Sequence, residues 1–245
     1  MDSEIKKFFE LFIGYDGSNW NVEHAQKYQD GVHSYFLHDM ENMIKDMVGY
    51  PSILYLMNTI AFLGYCMKYE ESWKVPDDGK AKNNEFYDAG GNDDFVYFCK
   101  EYLSKSNEKY EKLAEELFDF IRNRLSHIYL THNAITTNSS AEHLEIKDKG
   151  SEYPYIFISV KIFFDDTKKS IEDIYKKLET NETIANQFKE KQKFILDWAW
   201  KLQRNLNSIN LNDKNKQGPP PNYDYPNGSV SGVPPYTATG PQFPS

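Results

Sequence analysis

Apolar residues recur at helical spacing along most of the chain, and that pattern predicts a succession of amphipathic helices. Ile5, Phe8, Phe9, Leu11 and Phe12 mark a short helix over 4–13, and the polar stretch 14–30 reads as irregular. Phe36, Leu37, Met40, Ile44 and Met47 predict a helix over 34–48, which Gly49 breaks. A helix that is apolar nearly all round follows from Pro51, a residue suited to a first turn because its missing N–H costs nothing there. Residues 70–94 are polar and contain Pro76, Gly79, Gly90 and Gly91, the marks of a long loop. Helix resumes at Asp94 with Phe95, Phe98, Cys99 and Tyr102 and breaks around 104–107. One long helix is expected over 108–130, with Leu113, Leu117, Phe118, Ile121, Leu125 and Ile128 on its apolar face.

The period then changes. Residues 132–141, rich in Thr, Asn and Ser, read as a loop. His143–Ile146 alternates, a turn spans 148–154, and Tyr155–Phe164 is rich in Ile, Val and Phe, so 143–164 reads as a β-hairpin. A short helix after Asp165 and Asp166 carries Ile171, Ile174 and Leu178. A last helix opens near Asn181 with Ile184, Phe188, Ile195, Trp198, Leu202, Leu206 and Ile209 as its stripe. From Gly218 the last 28 residues hold eight prolines and no lysine or arginine, too little apolar surface to offset the entropy of ordering. The expected fold is all-α: a helical bundle of about five or six helices with an inserted β-hairpin and a disordered Pro-rich C-terminal tail. The expected divisions are 1–33 (N-terminal helix and irregular segment), 34–209 (helical domain) and 210–245 (tail).

The net charge of −9 argues against broad, non-specific nucleic-acid binding but leaves room for a local basic cleft. Cys66 and Cys99 are far apart and lack metal-ligand spacing, which suits reduced thiols in an apolar interior. The acidic N-terminus has no secretory pattern, and the apolar run 53–67 is interrupted by Asn58 and Thr59 and falls short of the ~20 residues that span a bilayer. A cytoplasmic protein without a membrane span is expected.

Arginine is scarce. Of 28 basic residues only Arg122, Arg124 and Arg204 are arginine, and two of them fall in Ile121-Arg122-Asn123-Arg124-Leu125-Ser126-His127-Ile128. A guanidinium is a flat, permanently charged fork that grips a phosphate on two prongs, which lysine cannot copy. On a helix Asn123 and His127, at i and i+4, are neighbours, while Arg122 lies about 140° round from His127 and must reach. The plain alternative is a helix with arginine on its wet face and a histidine at the edge of the core.

Arg122-Asn123-x-x-x-His127 near the end of an amphipathic helix resembles the signature of the HEPN superfamily, in which an arginine and a polar residue precede a histidine by a few positions. The likeness covers roughly 34–209. It implies a metal-independent endoribonuclease acting as a homodimer on RNA, a toxin or defence enzyme restrained by an antitoxin or regulatory protein. No cofactor or metal is implied. His127 would pass protons near neutral pH, Arg122 would hold the phosphate, and Asn123 would position either of them. Arg124, Lys193, Lys201 and Arg204 are candidate RNA contacts, the last three from a basic side that also includes Lys189 and Lys191. His132 and His143, without a third ligand, make no metal site. Pro220, Pro221 and Tyr223 fit a PPxY pattern read by aromatic grooves of partner proteins. The rival reading is a non-catalytic HEPN-like module that dimerises and binds a protein.

Overall fold

The computed structural model describes residues 1–20, 36–74, 90–123, 134–137, 142–152 and 154–207; for Phe120, Arg122, Asn123, Ile135, Thr137 and 196–207 it describes the backbone alone. The chain divides into a compact unit of residues 1–200 and a second unit, 201–245, of which 201–207 are described, as helix. The expected tail over 210–245, with Pro220, Pro221 and Tyr223, lies outside the described residues.

The first unit is mostly helical. Its elements are α1 (Ser3–Phe8), running into a π-helical turn (Phe9–Ile13), α2 (Phe36–Lys45), α3 (Gly49–Met67) and α4 (Asn92–Glu101). A 3-10 turn (Leu103–Lys105), α5 (Lys109–Lys112), α6 (Ala114–Leu117) and a second π-helical turn (Phe118–Asn123) follow. Then come strands β1 (Ala134–Thr137), β2 (Glu145–Lys147) and β3 (Tyr155–Ser159), and helices α7 (Val160–Thr180) and α8 (Glu182–Asn207), of which residues 201–207 fall in the second unit.

The apolar stretch after Pro51 becomes α3, the centre of the unit. Ile53, Leu56, Met57, Ile60, Ala61, Leu63, Cys66 and Met67 are all buried, so the helix needs no wet face along most of its length. No described helix is long and apolar enough to cross a membrane. Against α3 pack α2, α4, α7, the second π turn and β1. α1 and the π turn after it join the same core, with Phe8 and Phe9 against Phe188 of α8 and Phe9 edge-on to Tyr175 of α7. The segment after it is tied down too. Trp20 donates its indole N–H to Glu172 at 2.7 Å, and the Lys168 ammonium lies over the Trp20 ring.

α3 and α4 touch through their backbones. A Cβ on Gly64 would stand 2.8 Å from the carbonyl carbon of Asp94, with the carbonyl oxygen nearer still. Only glycine lets the helices approach this far.

Three expectations from the hydropathy pattern need correction. The expected long helix from 108 is broken over its described part into α5, α6 and a π turn, with Leu113 leaving helical geometry between them (φ −116°, ψ 8°). The path continues nonetheless, because the Leu113 N–H donates to the Lys109 carbonyl and the Leu117 N–H to the Leu113 carbonyl. Leu117, Phe118 and Ile121 keep the buried stripe; Leu125 and Ile128 lie outside the described residues.

The hairpin pairs antiparallel, with Glu145 opposite Phe157 and Lys147 opposite Tyr155, but its second arm ends at Ser159. Residues 160–164 are the first turns of α7. The Ser159 hydroxyl accepts the Ile162 N–H, and Val160, Phe163, Phe164 and Thr167 share the buried face, so packing at helical spacing overrides their β-branched and aromatic character. Finally, the expected loop over 132–141 contains β1. It pairs parallel with β3, Ala134 opposite Ile156 and Thr137 opposite Ser159, to give a three-stranded sheet in the order β1-β3-β2.

Gly64→Ala should therefore lower the unfolding free energy by several kcal/mol, in the upper range for single substitutions because a clash with main chain has no rotamer escape. Urea denaturation would show it as a fall in the midpoint; a loss below about 1 kcal/mol would mean the helices separate easily.

Candidate functional site

The arginine–histidine segment starts from a fixed point. Phe118 packs against Phe95 of α4 and Ile121 is fully buried, so the π turn that ends at Asn123 is seated on α3 and α4. It ends at another fixed point. β1 is held to the first turn of α3, where the Tyr50 hydroxyl donates to the Ala134 carbonyl at 3.2 Å and Gly49 faces Thr136. Both described ends of the segment thus rest on α3. The backbone of Arg122 and Asn123 belongs to the π turn; their side chains, and Arg124 and His127 altogether, lie outside what is described. His132 lies outside as well. Among the described residues, no group of three metal-ligating side chains forms.

The first two lysines of the basic side expected on α8 are engaged within the fold. Lys189 pairs with Asp2 at 3.0 Å and Glu4 at 2.8 Å, which cancels its charge. Lys191 is only 1% exposed. Its ammonium donates to the carbonyls of Tyr65 (3.0 Å) and Lys68 (2.6 Å) at the end of α3 and lies over the rings of Tyr65 and Trp73. It serves as a C-cap for α3, a place where a cation also meets the negative end of the helix dipole. Burial pulls its pKa below the ordinary lysine value. One turn earlier, Gln187 grips Glu70 twice, accepting its N–H and donating to its carbonyl. Of the three described lysines, only Lys193 is an exposed cation without a described partner; the side chains of Lys201 and Arg204 lie outside the described residues.

The most developed polar arrangement among the described residues escaped the sequence reading. His143, 6% exposed, sits where α5, β2, β3 and α7 meet. The Ser159 N–H points at its Nδ1 (3.2 Å), the Tyr110 hydroxyl lies 2.7 Å from its Nε2, and that hydroxyl is 3.1 Å from Asp166 Oδ2. These contacts fix every proton. Nδ1 must accept, so the ring is the neutral Nε2–H tautomer; Nε2–H donates to the Tyr110 oxygen, and Tyr110 donates to Asp166. The other carboxylate oxygen of Asp166 takes the Lys169 ammonium at 3.2 Å. Burial, with Lys109 adding repulsion, pushes the His143 pKa down to about 4, in keeping with a neutral ring. The Tyr110 hydroxyl is pushed well up by burial and by Asp166. A sequence signal existed: Asp166 sits on the same helical face as Phe163, Ser170 and Thr167, and a carboxylate among buried positions requires a partner.

Chemically, this relay holds protons in place and is closed to solvent, so it supports structure and not turnover. Comparison with protein-family models, with curated proteins and with solved structures gives no match.

Tyr110→Phe would leave the His143 Nε2–H and one Asp166 oxygen unsatisfied in the interior. It should cost about 1–3 kcal/mol in chemical denaturation, whereas Lys193→Ala should stay within about 0.5 kcal/mol. Equal effects would deny the relay its structural weight.

Proposed function

We propose that the chain is an HEPN-like, metal-independent endoribonuclease. The observation that carries the reading is Arg122-Asn123-x-x-x-His127, the one place where this lysine-based chain gathers arginine, amide and imidazole, in a segment whose two described ends rest on α3. The π-helical geometry at Arg122 and Asn123 adds support, since such turns inside helices are frequent at functional sites. The first π turn, Phe9–Ile13, closes the α1 segment, so the geometry supports the motif and does not replace it.

In the proposed reaction the ribose 2′-oxygen attacks the adjacent phosphorus and the bond to the 5′-oxygen breaks. The products are a 2′,3′-cyclic phosphate and a free 5′-hydroxyl. One His127 takes the 2′-hydroxyl proton or gives one to the leaving oxygen; a second copy of the chain across a shared cleft supplies the complementary transfer. Arg122 offsets charge on the non-bridging oxygens, and Asn123 orients the imidazole or the phosphate. The need for a 2′-hydroxyl restricts the substrate to RNA. A toxin or defence role, with a restraining protein partner, extends the same proposal.

A specific observation favours a second reading, a non-catalytic HEPN-like module that binds protein. The chain carries a net charge of −9, and among the described α8 lysines Lys189 is neutralised and Lys191 buried, so neither is free to meet RNA.

Purified protein incubated with RNA in excess chelator distinguishes the two. The enzyme reading expects cleavage to cyclic-phosphate ends, no cleavage of a 2′-deoxy strand, and a loss of about a hundredfold or more in Arg122→Ala and His127→Ala. An inert wild type, or equal cleavage by all three proteins, leaves the binding module.

A further inference from the structure

The His143 relay accepts one protonation state, and the geometry shows which contact fails when that state changes. Adding a proton leaves the Nε2 side as it was: Nε2–H still donates to Tyr110, and Tyr110 still donates to Asp166. The whole change falls on Nδ1, which turns from acceptor to donor while facing the Ser159 N–H at 3.2 Å. Two N–H groups then oppose each other in a buried site, and the amide loses its acceptor.

We propose that His143 and the Ser159 amide form an acid-operated latch, which keeps the 142–159 hairpin closed while the ring is neutral and lets it open when the ring is protonated.

Ser159 is well placed for such a latch, being at once the last residue of β3, the register partner of Thr137 in β1, and the N-cap of α7. The backbone beside the ring is strained: Leu144 is buried with φ +53°, a left-handed conformation that a non-glycine residue holds only under constraint. Opening relieves it. β2 is three residues long, and side-chain ion pairs, Lys109 with Glu145 and Lys147 with Glu142, brace it from outside.

The charged and titratable neighbours of the ring all bear on the outcome. From α5 come Lys109, which repels an imidazolium, and Tyr110. α7 contributes the Phe163 ring and Asp166, the latter separated from the imidazole by the Tyr110 hydroxyl and already engaged by Lys169. From β2 comes Glu145, paired with Lys109, and from α4 Cys99, which faces Tyr110. Elsewhere Asp39 and Asp94 have pKa values raised by burial. Their neutral forms suit the interior, so acid does not open the helices through them.

The closed hairpin binds fewer protons at His143 than the open one between pH 6.5, the ordinary histidine value, and about 4. Its stability is complete above pH 6.5 and falls as the pH drops through that window. Hydrogen exchange of the full chain, corrected for intrinsic rates, tests this. Protection over 142–159 should fall about tenfold per pH unit below 6.5 and level off near the pH at which the His143 ring titrates by NMR, while α3 and α4 keep theirs. His143→Gln should flatten the dependence. Loss of protection in all segments together, an unchanged pH dependence in His143→Gln, or a ring that titrates at its ordinary value with the hairpin still protected would overturn the latch. Should His143→Gln fail to fold, the match between ring titration and exchange in the wild type decides alone.

Discussion

With no side chain at Gly64, the carbonyl of Asp94 lies almost where a Cβ would stand, and α3 and α4 pack backbone to backbone. That approach sets the start of α4. Asp94 is buried there and its carboxylate accepts the Gly90 N–H, so the chain enters α4 at a fixed angle. Phe95, one residue on, then meets Phe118 and places the π turn that contains Arg122 and Asn123. A wider helix spacing would move the π turn with it.

The two ends of α3 are secured by different means. Its C-terminal carbonyls are capped by an ammonium from α8, and Glu70 in the segment after it is gripped by Gln187. Lysine at this point acts through its charge, both on the helix end and over the rings of Tyr65 and Trp73. The N-terminal end instead meets β1 through Tyr50 and Gly49. The helix that hydropathy identified most easily therefore meets both described ends of the proposed catalytic segment, although no residue of α3 belongs to the motif.

Legibility followed the physics of each signal. The core helices were readable because apolar periodicity and burial are the same fact seen twice; Ile53, Leu56, Met57, Ile60, Leu63 and Met67 are all interior. β1 was not readable: four residues, Ala134–Thr137, are too few to show a period, and their pairing with Ile156–Ser159 is long-range. Residues 160–164 misled because Val, Ile and Phe serve strand and helix alike, and a buried N-cap serine decided between them. At the candidate site, the motif was legible as spacing alone. Within the basic flank Lys191 misled, because a lysine at helical spacing says nothing of whether its head meets water, as Lys193 does, or a row of carbonyls, as Lys191 does.

The same distinction separates the two histidine-bearing arrangements. His143 is enclosed, its tautomer fixed by an amide on one side and a tyrosine on the other, and its pKa driven far below the neutral range. A group so placed cannot exchange protons with a substrate, because the energy that fixes its state is the energy a catalyst must keep available for transfer. A catalytic His127 would need the reverse: a solvated ring near its ordinary pKa, with a phosphate in reach of Arg122. The chain would then use one histidine for order and another for chemistry, and the difference would lie in desolvation rather than in the side chain itself.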